Sequence, residues 1–339
     1  MLSRRRFALG VGLAALGIVG RDAPLSGWLP TRLDGTFFQP WRGDFDDWAV
    51  WRTRFELMRR LGCEQLVLQW VEYADGNDRF AASASALDRL FDLAGAHGLT
   101  LRIGLPFDNG FWATAAAGER QIGAHLETVL SRQKRHLETA SYAGHSAFAG
   151  WYLPQELDDY TWRQPAVRDR LLNYLSEIAA AAAGRGDRLL AVSTFHSVMA
   201  TEGAWPDLWS AILERVALVP LIQDGAGVTD RAPASPSAGP ARLAESLRAQ
   251  AKPFELVVEL FKQFDDGDGR SALPFTARAA SFPRVQTQLE RAAGYGAGRI
   301  LGFAVDPYMT DRTEGGAALR RAYLLAAADP RSERIKRTA

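Results

Sequence analysis

Two glutamates are candidate catalytic residues because each ends a short apolar run. Glu156 closes the run at 150–155, and Glu259 closes the run at 256–258. A carboxylate at the end of a buried segment needs a partner or a chemical purpose. Paired carboxylates can cleave a glycosidic bond, because one protonates the departing oxygen while the other attacks the sugar or activates water. We therefore predict Glu156 and Glu259 as a catalytic pair, on the condition that both side chains point into one cavity.

Aromatic and hydrogen-bonding side chains cluster near the same segment ends. Aromatic rings stack on the apolar faces of sugars, while carboxylates and amides bind sugar hydroxyls. Asp224 is a further carboxylate of this kind. The predicted substrate-binding residues are Gln39, Trp41, Gln69, Trp70, Glu72, Tyr73, Asp108, Trp112, Gln155, Asp159, His196, Gln223, Asp306 and Tyr308.

The elements that must position these residues alternate along the chain. Short apolar or β-branched runs take turns with longer stretches of helical period, which is typical of parallel strands with crossover helices. The predicted strands are 36–41, 65–71, 100–106, 149–153, 189–194, 218–223, 254–259 and 299–305. The predicted helices are 48–61, 84–97, 118–140, 166–183, 206–215, 240–251, 282–295 and 317–327.

Eight such rounds predict a single-domain (β/α)8 TIM barrel of the α/β class over residues 31–330. A doubly wound dinucleotide-binding sheet is disfavoured, because no G-x-G-x-x-G follows the first strand. The connections 224–239 and 264–281 are long and both follow strands, so they are expected on the face where such barrels keep their active sites. The acidic run 265–269 lacks the EF-hand pattern and is interpreted as a solvated turn.

The amino-acid composition limits the classes of ligand and cofactor that suit this chain. Forty basic and 39 acidic residues give a formal charge of +1, which disfavours nucleic acid as a ligand and favours a neutral one. Cys63 is the single cysteine, and the five histidines form no H-x-x-x-H or H-E-x-x-H pattern. We therefore predict no metal and no cofactor. A metal-dependent hydrolase or deacetylase barrel is disfavoured, because no histidine pair ends the first strand.

The first 30 residues differ in character from the rest. Ser3-Arg4-Arg5-Arg6-Phe7 precedes an apolar run at 8–19, which is shorter than the roughly 20 residues of a spanning helix. This pattern is similar to a twin-arginine export signal, so residues 1–30 are predicted as signal and linker. A periplasmic or secreted location follows, with membrane contact only through the signal. Residues 331–339 are predicted as a polar tail.

The assembled residues resemble a large clan of TIM-barrel glycoside hydrolases that carry an acid/base glutamate after strand four and a nucleophilic glutamate after strand seven. The segment Trp-Tyr-Leu-Pro-Gln-Glu at 151–156 is also similar to the strand-four signature of an uncharacterised bacterial barrel family grouped with these enzymes. The resemblance implies that Glu156 is the acid/base and Glu259 the nucleophile of a retaining mechanism.

This chain departs from the clan pattern at three positions. Gln155 stands where the clan usually has asparagine, and Gln223 and Asp306 stand where it commonly has a tyrosine and a tryptophan. Carboxyl groups about 5 to 5.5 Å apart would retain the anomeric configuration, and a separation of about 6.5 to 9.5 Å would invert it.

The sequence thus predicts a glycoside hydrolase acting on an oligosaccharide or polysaccharide. An exopolysaccharide made by the same cell is one example of such a substrate. The alternative is a non-catalytic carbohydrate-binding barrel involved in exopolysaccharide handling. A Glu156→Gln substitution separates the two, because it should abolish hydrolysis while leaving binding intact.

Overall fold

A computed structural model describes residues 32–197, 200–201, 203–228, 238–263 and 276–328 of the chain. The predicted export signal at 1–30, the tail at 331–339 and the acidic run at 265–269 lie outside the described residues.

Thirteen strands occur within the described residues, and eight of them close a parallel barrel in the order β1-β13-β10-β9-β8-β7-β5-β2. The strands are β1 Gly35–Phe38, β2 Gln65–Leu68, β3 Glu72–Asp75, β4 Asp78–Ala81, β5 Thr100–Gly104, β6 Phe107–Asp108, β7 Phe148–Asp158, β8 Leu190–Phe195, β9 Leu218–Gln223, β10 Glu255–Glu259, β11 Phe261–Gln263, β12 Ala277–Ala279 and β13 Ile300–Phe303. Each of the eight predicted strands overlaps one barrel strand, so the predicted (β/α)8 TIM barrel is confirmed.

Helices connect the barrel strands, as the alternating pattern predicts. They are α1 Trp48–Arg60, α2 Ala84–Ala96, α3 Phe111–Ala117, α4 Glu119–Thr139, α5 Pro165–Ala183, α6 Ala204–Leu213, α7 Ala238–Ala249, α8 Phe282–Gly294, α9 Val305–Tyr308 and α10 Gly316–Ala327. Capping side chains and a glycine determine where several of these helices begin or end. The Asp47 side chain accepts the backbone N–H of Ala49 at the start of α1, and Ser83 accepts that of Ala86 at the start of α2. Gly62 follows α1 with a φ of 87°, a left-handed conformation that glycine adopts freely.

The barrel interior is filled by side chains from neighbouring and from distant strands. The Phe37 ring of β1 lies 5.4 Å from the Tyr152 ring of β7 and 5.6 Å from the Phe303 ring of β13. At the end where the strands begin, Arg102 of β5 crosses to Glu255 of β10 with two hydrogen bonds of 2.7 and 2.8 Å. Because β5 and β10 are not neighbours, this buried ion pair spans the interior and closes that end.

Two small sheets add to the barrel and were not predicted. The order β4-β3-β6 makes a three-stranded sheet just after β2, and β11 pairs antiparallel with β12 after β10. The predicted strand 65–71 ends earlier, at Leu68, because the chain then leaves the barrel for this small sheet. Both sheets follow barrel strands, so they lie at the end of the barrel where the strands finish, which we call the mouth.

Candidate active site

Glu156 lies in the last part of β7, the fourth barrel strand, on its interior face. Its Oε1 atom accepts a hydrogen bond of 2.8 Å from Gln223 Nε2 at the end of β9. Strand β8 separates β7 from β9, so the two side chains meet across the inner surface of the barrel. Tyr152, four residues earlier on the same strand, also faces the interior, where it contacts Phe37. Glu156 is 6% exposed.

Glu259 ends β10, the seventh barrel strand. Glu255 on this strand reaches Arg102 through the interior, and side chains four residues apart on a strand share a face, so Glu259 also points inward. Its Oε2 atom accepts the backbone N–H of Gly227 at 2.7 Å. With 1% exposure it is the more deeply buried of the two glutamates. Both predicted catalytic residues therefore occupy the inner surface near the mouth.

Asp224, directly after β9, lies against the backbone of Glu259. Its Oδ1 atom accepts the N–H of Glu259 at 3.3 Å and that of Ala226 at 3.1 Å, and Gln288 donates to its Oδ2 atom. The pKa of Asp224 is raised to about 7, first by burial and second by the negative charge of Glu259. Asp224 is thus a support for Glu259 rather than the sugar contact that its position in the sequence predicts.

Asp159 and His196 form a second pair at the ends of β7 and β8. His196 Nδ1 lies 2.6 Å from Asp159 Oδ2, and the Ser197 N–H donates to Asp159 Oδ1 at 2.8 Å. The Asp159 side chain is fully buried, whereas that of His196 is 32% exposed. The carboxylate therefore fixes one ring nitrogen of His196 and leaves the exposed edge of the ring available to a ligand.

Gln155 does not join these residues at the mouth. Successive side chains on a strand point to opposite faces, so Gln155 points outward toward the helices. Its Oε1 atom accepts hydrogen bonds from Gln133 of α4 at 3.3 Å and from Tyr174 of α5 at 3.2 Å. We therefore assign Gln155 to the support behind Glu156 and no longer to the sugar contacts.

The predicted aromatic residues differ in how deeply their side chains are buried. Trp41, Trp70 and Tyr73 form one cluster with ring centroids 4.9 to 5.4 Å apart, in which Trp70 and Tyr73 are buried and Trp41 is half-buried. Trp112 is half-buried on α3, with its ring 6.0 Å from that of Phe195. Tyr308 is buried against Phe261 at 5.3 Å. Trp41 and Trp112 are therefore the rings best placed to meet a ligand.

Arginines hold three of the predicted acidic residues. Arg132 pairs with Glu72 and, at 3.3 Å, with Asp108, so it ties β3 to β6. Arg54 lies 2.8 Å from Asp306, which also pairs with Arg312. These ion pairs fix the loops around the mouth, and the acids in them are less available to a sugar hydroxyl than the sequence predicts. Of the two remaining amides, Gln39 is half-buried after β1 and Gln69 is buried after β2.

Gly227 and Gln288 belong to the site although sequence reasoning did not select them. The run Asp224-Gly225-Ala226-Gly227 directly after a strand carries a signal for a tight turn that approaches a neighbouring group closely. Gln288 gives no such signal, because it reaches Asp224 from the middle of α8, 64 positions away.

Within the described ranges, no three His, Cys, Asp or Glu side chains are grouped so that they could hold a metal ion. In the same part of the chain, no helix has both the length and the hydropathy needed to cross a membrane.

A family model described as "Domain of unknown function (DUF4434)" matches residues 33–314. A relative in Escherichia coli (strain K12), "Uncharacterized protein YbcH", is 26% identical over 181 residues, which are 52% of this chain and 60% of the relative. The chain therefore matches about three fifths of the length of this relative.

Several solved structures share the fold. A putative alpha-L-fucosidase from Bacteroides thetaiotaomicron VPI-5482 superimposes with a TM-score of 0.68 at 15% identity and covers 93% of this chain and 99% of the fucosidase. A GH113 beta-1,4-mannanase gives a TM-score of 0.54 at 13% identity over 87% of this chain and 98% of its own. The spore cortex-lytic enzyme SleL of Bacillus cereus gives a TM-score of 0.53 at 12% identity and covers 87% of this chain and 74% of its own. At such low identities these similarities establish the barrel fold.

Proposed function

We propose a function for this chain, which belongs to the family described as "Domain of unknown function (DUF4434)": it is a glycoside hydrolase that cleaves an oligosaccharide or a polysaccharide. The observation that carries this proposal is the position of Glu156 and Glu259 on the inner surface of the fourth and seventh barrel strands, near the mouth. Active sites of such barrels are built at the ends of the strands. The fucosidase and the mannanase of the same fold support a carbohydrate substrate.

The two glutamates have different surroundings, and these suit different roles. Glu259 accepts a backbone N–H from Gly227, which orients its carboxyl group, and we assign it the role of nucleophile or base. Glu156 accepts from the neutral amide of Gln223, and we assign it the proton that passes to the departing oxygen. Burial of both residues keeps bulk water away and strengthens electrostatic interactions with the developing charge. A retaining mechanism follows if Glu259 attacks the anomeric carbon directly.

The substrate is held by side chains around this pair. Trp41 and Trp112 present partly exposed rings for the apolar faces of sugars, and His196 presents a ring edge fixed by Asp159. Gln223 adds an amide next to Glu156. A neutral polymer such as an exopolysaccharide suits this mixture of rings and hydrogen-bonding groups.

The experiment is a screen for release of reducing ends from a panel of neutral glycans. The wild type should cleave at least one glycan, and Glu156→Gln and Glu259→Gln should each reduce the rate by about 100-fold or more. Glu138→Gln, at an exposed position on α4, is the matched control and should keep the wild-type rate. A wild type that binds a glycan without cleaving any member of the panel would overturn hydrolysis and favour the carbohydrate-binding barrel.

We further propose a periplasmic or secreted location through the twin-arginine pattern at residues 4–6. The paired substitution Arg4→Lys and Arg5→Lys should leave the protein in the cytoplasm, as measured by cell fractionation. Unchanged export of this variant would contradict the proposal.

A further inference from the structure

One carboxyl group ties the turn after β9 to the end of β10. Asp224 Oδ1 accepts the backbone N–H groups of Ala226 and Glu259, at 3.1 and 3.3 Å. Gln288 of α8 donates to Asp224 Oδ2 and, at 3.3 Å, to the Glu259 carbonyl. Asp224 thus fixes both the path of its own turn and the position of the Glu259 backbone relative to that turn.

This turn carries the amide that contacts the Glu259 side chain. The Gly227 N–H donates to Glu259 Oε2 at 2.7 Å. A Cβ atom at position 227 would lie 2.6 Å from the Phe261 carbonyl oxygen and 2.9 Å from Glu259 Oε2, so the approach requires glycine. Arg284 closes the back of the turn by donating to the carbonyls of Ala226, Glu259 and Phe261 at 2.9, 2.9 and 2.6 Å.

Burial and the charge of Glu259 favour the protonated form of Asp224 below neutral pH. Burial is the main cause that raises its pKa to about 7, and the charge of Glu259 is the second. The titratable groups that face it are Glu259 from β10, Arg284 from α8 and Tyr295 from the end of that helix. In these three hydrogen bonds, Arg284 donates to backbone carbonyls and not to the carboxyl groups of Asp224 or Glu259.

We propose that Asp224 is a positioning residue for Glu259: its carboxyl group shapes the turn that presents the Gly227 N–H to the Glu259 side chain. The proposal rests on the proposed function, because it takes Glu259 as the nucleophile or base. Ionisation of Asp224 would add a second negative charge beside the end of β10, and its repulsion with Glu259 would oppose the geometry in which Glu259 receives the amide.

The test compares Asp224→Ala with Asp224→Asn on a glycan that the wild type cleaves. Alanine removes the three hydrogen bonds that the Asp224 side chain accepts, so kcat should fall by about 10- to 100-fold while KM changes little. Asparagine keeps an oxygen for the Ala226 and Glu259 amides, so it should recover most of the rate. The wild-type rate should decline above about pH 7, whereas the rate of Asp224→Asn should persist to higher pH. Asp187→Asn, at an exposed turn, is the control for the exchange of a carboxylate for an amide.

A second measurement needs no substrate. Carboxyl-carbon NMR of the wild type should show a titration near pH 7 that also shifts the Glu259 signal, and both changes should vanish in Asp224→Asn. The proposal is overturned if Asp224→Ala keeps the wild-type kcat, if the pH profiles of wild type and Asp224→Asn superimpose, or if the NMR titration persists without Asp224. A wild type that cleaves no glycan would instead contradict the proposed function, and the NMR titration would still test the link between the two carboxyl groups.

Discussion

Gln155 and Glu156 are adjacent and both buried, yet they serve opposite sides of β7. Gln155 hydrogen-bonds to Gln133 and Tyr174 between the helices, while Glu156 meets Gln223 inside the barrel. Their residue types alone do not distinguish them, because both are polar residues in an apolar segment. The alternation of the strand decides which of the two can meet a substrate. The sequence analysis selected both residues for the site, and the side-chain contacts of Gln155 and Glu156 show which of them faces the interior.

Asp224 makes stability depend on pH in a direction unusual for a carboxyl group. Its pKa of about 7 in the folded protein lies above the ordinary value of 3.8, so between these pH values the folded state holds a proton that the unfolded state has lost. Stability contributed by this group is therefore complete below about pH 4 and is lost as the pH rises through 7. We expect the free energy of unfolding of Asp224→Asn, relative to that of the wild type, to increase between pH 5 and pH 8.

Urea unfolding at these two pH values measures that difference directly. A wild type and an Asp224→Asn variant whose stabilities change in parallel between pH 5 and pH 8 would show that Asp224 is already ionised in the folded protein.

At the level of elements, the sequence predicted the barrel but not its additions. Apolar runs predict all eight barrel strands, because a buried parallel strand needs a continuous apolar run. The strands β3 and β4 have no such run, since two of the four residues in each, at 72–75 and 78–81, are charged. Their hairpin did carry a signal, the two-residue Gly76-Asn77 loop between Asp75 and Asp78. The bulge that lets β7 run to Asp158 has no comparable signal, because it depends on pairing with β8.

The ion pair between β5 and β10 gives a prediction about these elements. Arg102→Met leaves the buried Glu255 with the longer contact of 3.5 Å from Arg299, so the free energy of unfolding should fall by about 3 kcal/mol. The double substitution Arg102→Met and Glu255→Met removes both charges and should be clearly more stable than the single one. Urea unfolding measures both, with Arg52→Met at an exposed position on α1 as the control. Equal losses in the single and double variants would mean that packing, rather than an unpaired charge, sets the cost.

At the scale of the whole molecule, the closed ring of strands places residues that are about a hundred positions apart in sequence at the same end of the barrel. Glu156 and Glu259 come from the fourth and seventh strands, and the turn after the sixth supplies Asp224 and Gly227. The order of the strands could be predicted, and with it the end of the barrel where these residues lie. The support from Gln288 and Arg284 could not, because contacts between a helix and the turn depend on how α8 packs against β10.

The roles of Glu156 as the acid and Glu259 as the nucleophile are tested most directly with two substrates that differ only in their leaving group. An aryl glycoside with a strongly acidic phenol needs no protonation as it departs, whereas the natural linkage does. We predict that Glu156→Ala loses activity on the natural linkage by about 100-fold or more yet forms the glycosyl-enzyme from the aryl glycoside at nearly the wild-type rate, seen as a burst of phenol. Glu259→Ala should lose activity on both substrates. Equal losses on both substrates for Glu156→Ala, or wild-type rates for Glu259→Ala, would contradict the assignment of these two glutamates as the acid and the nucleophile.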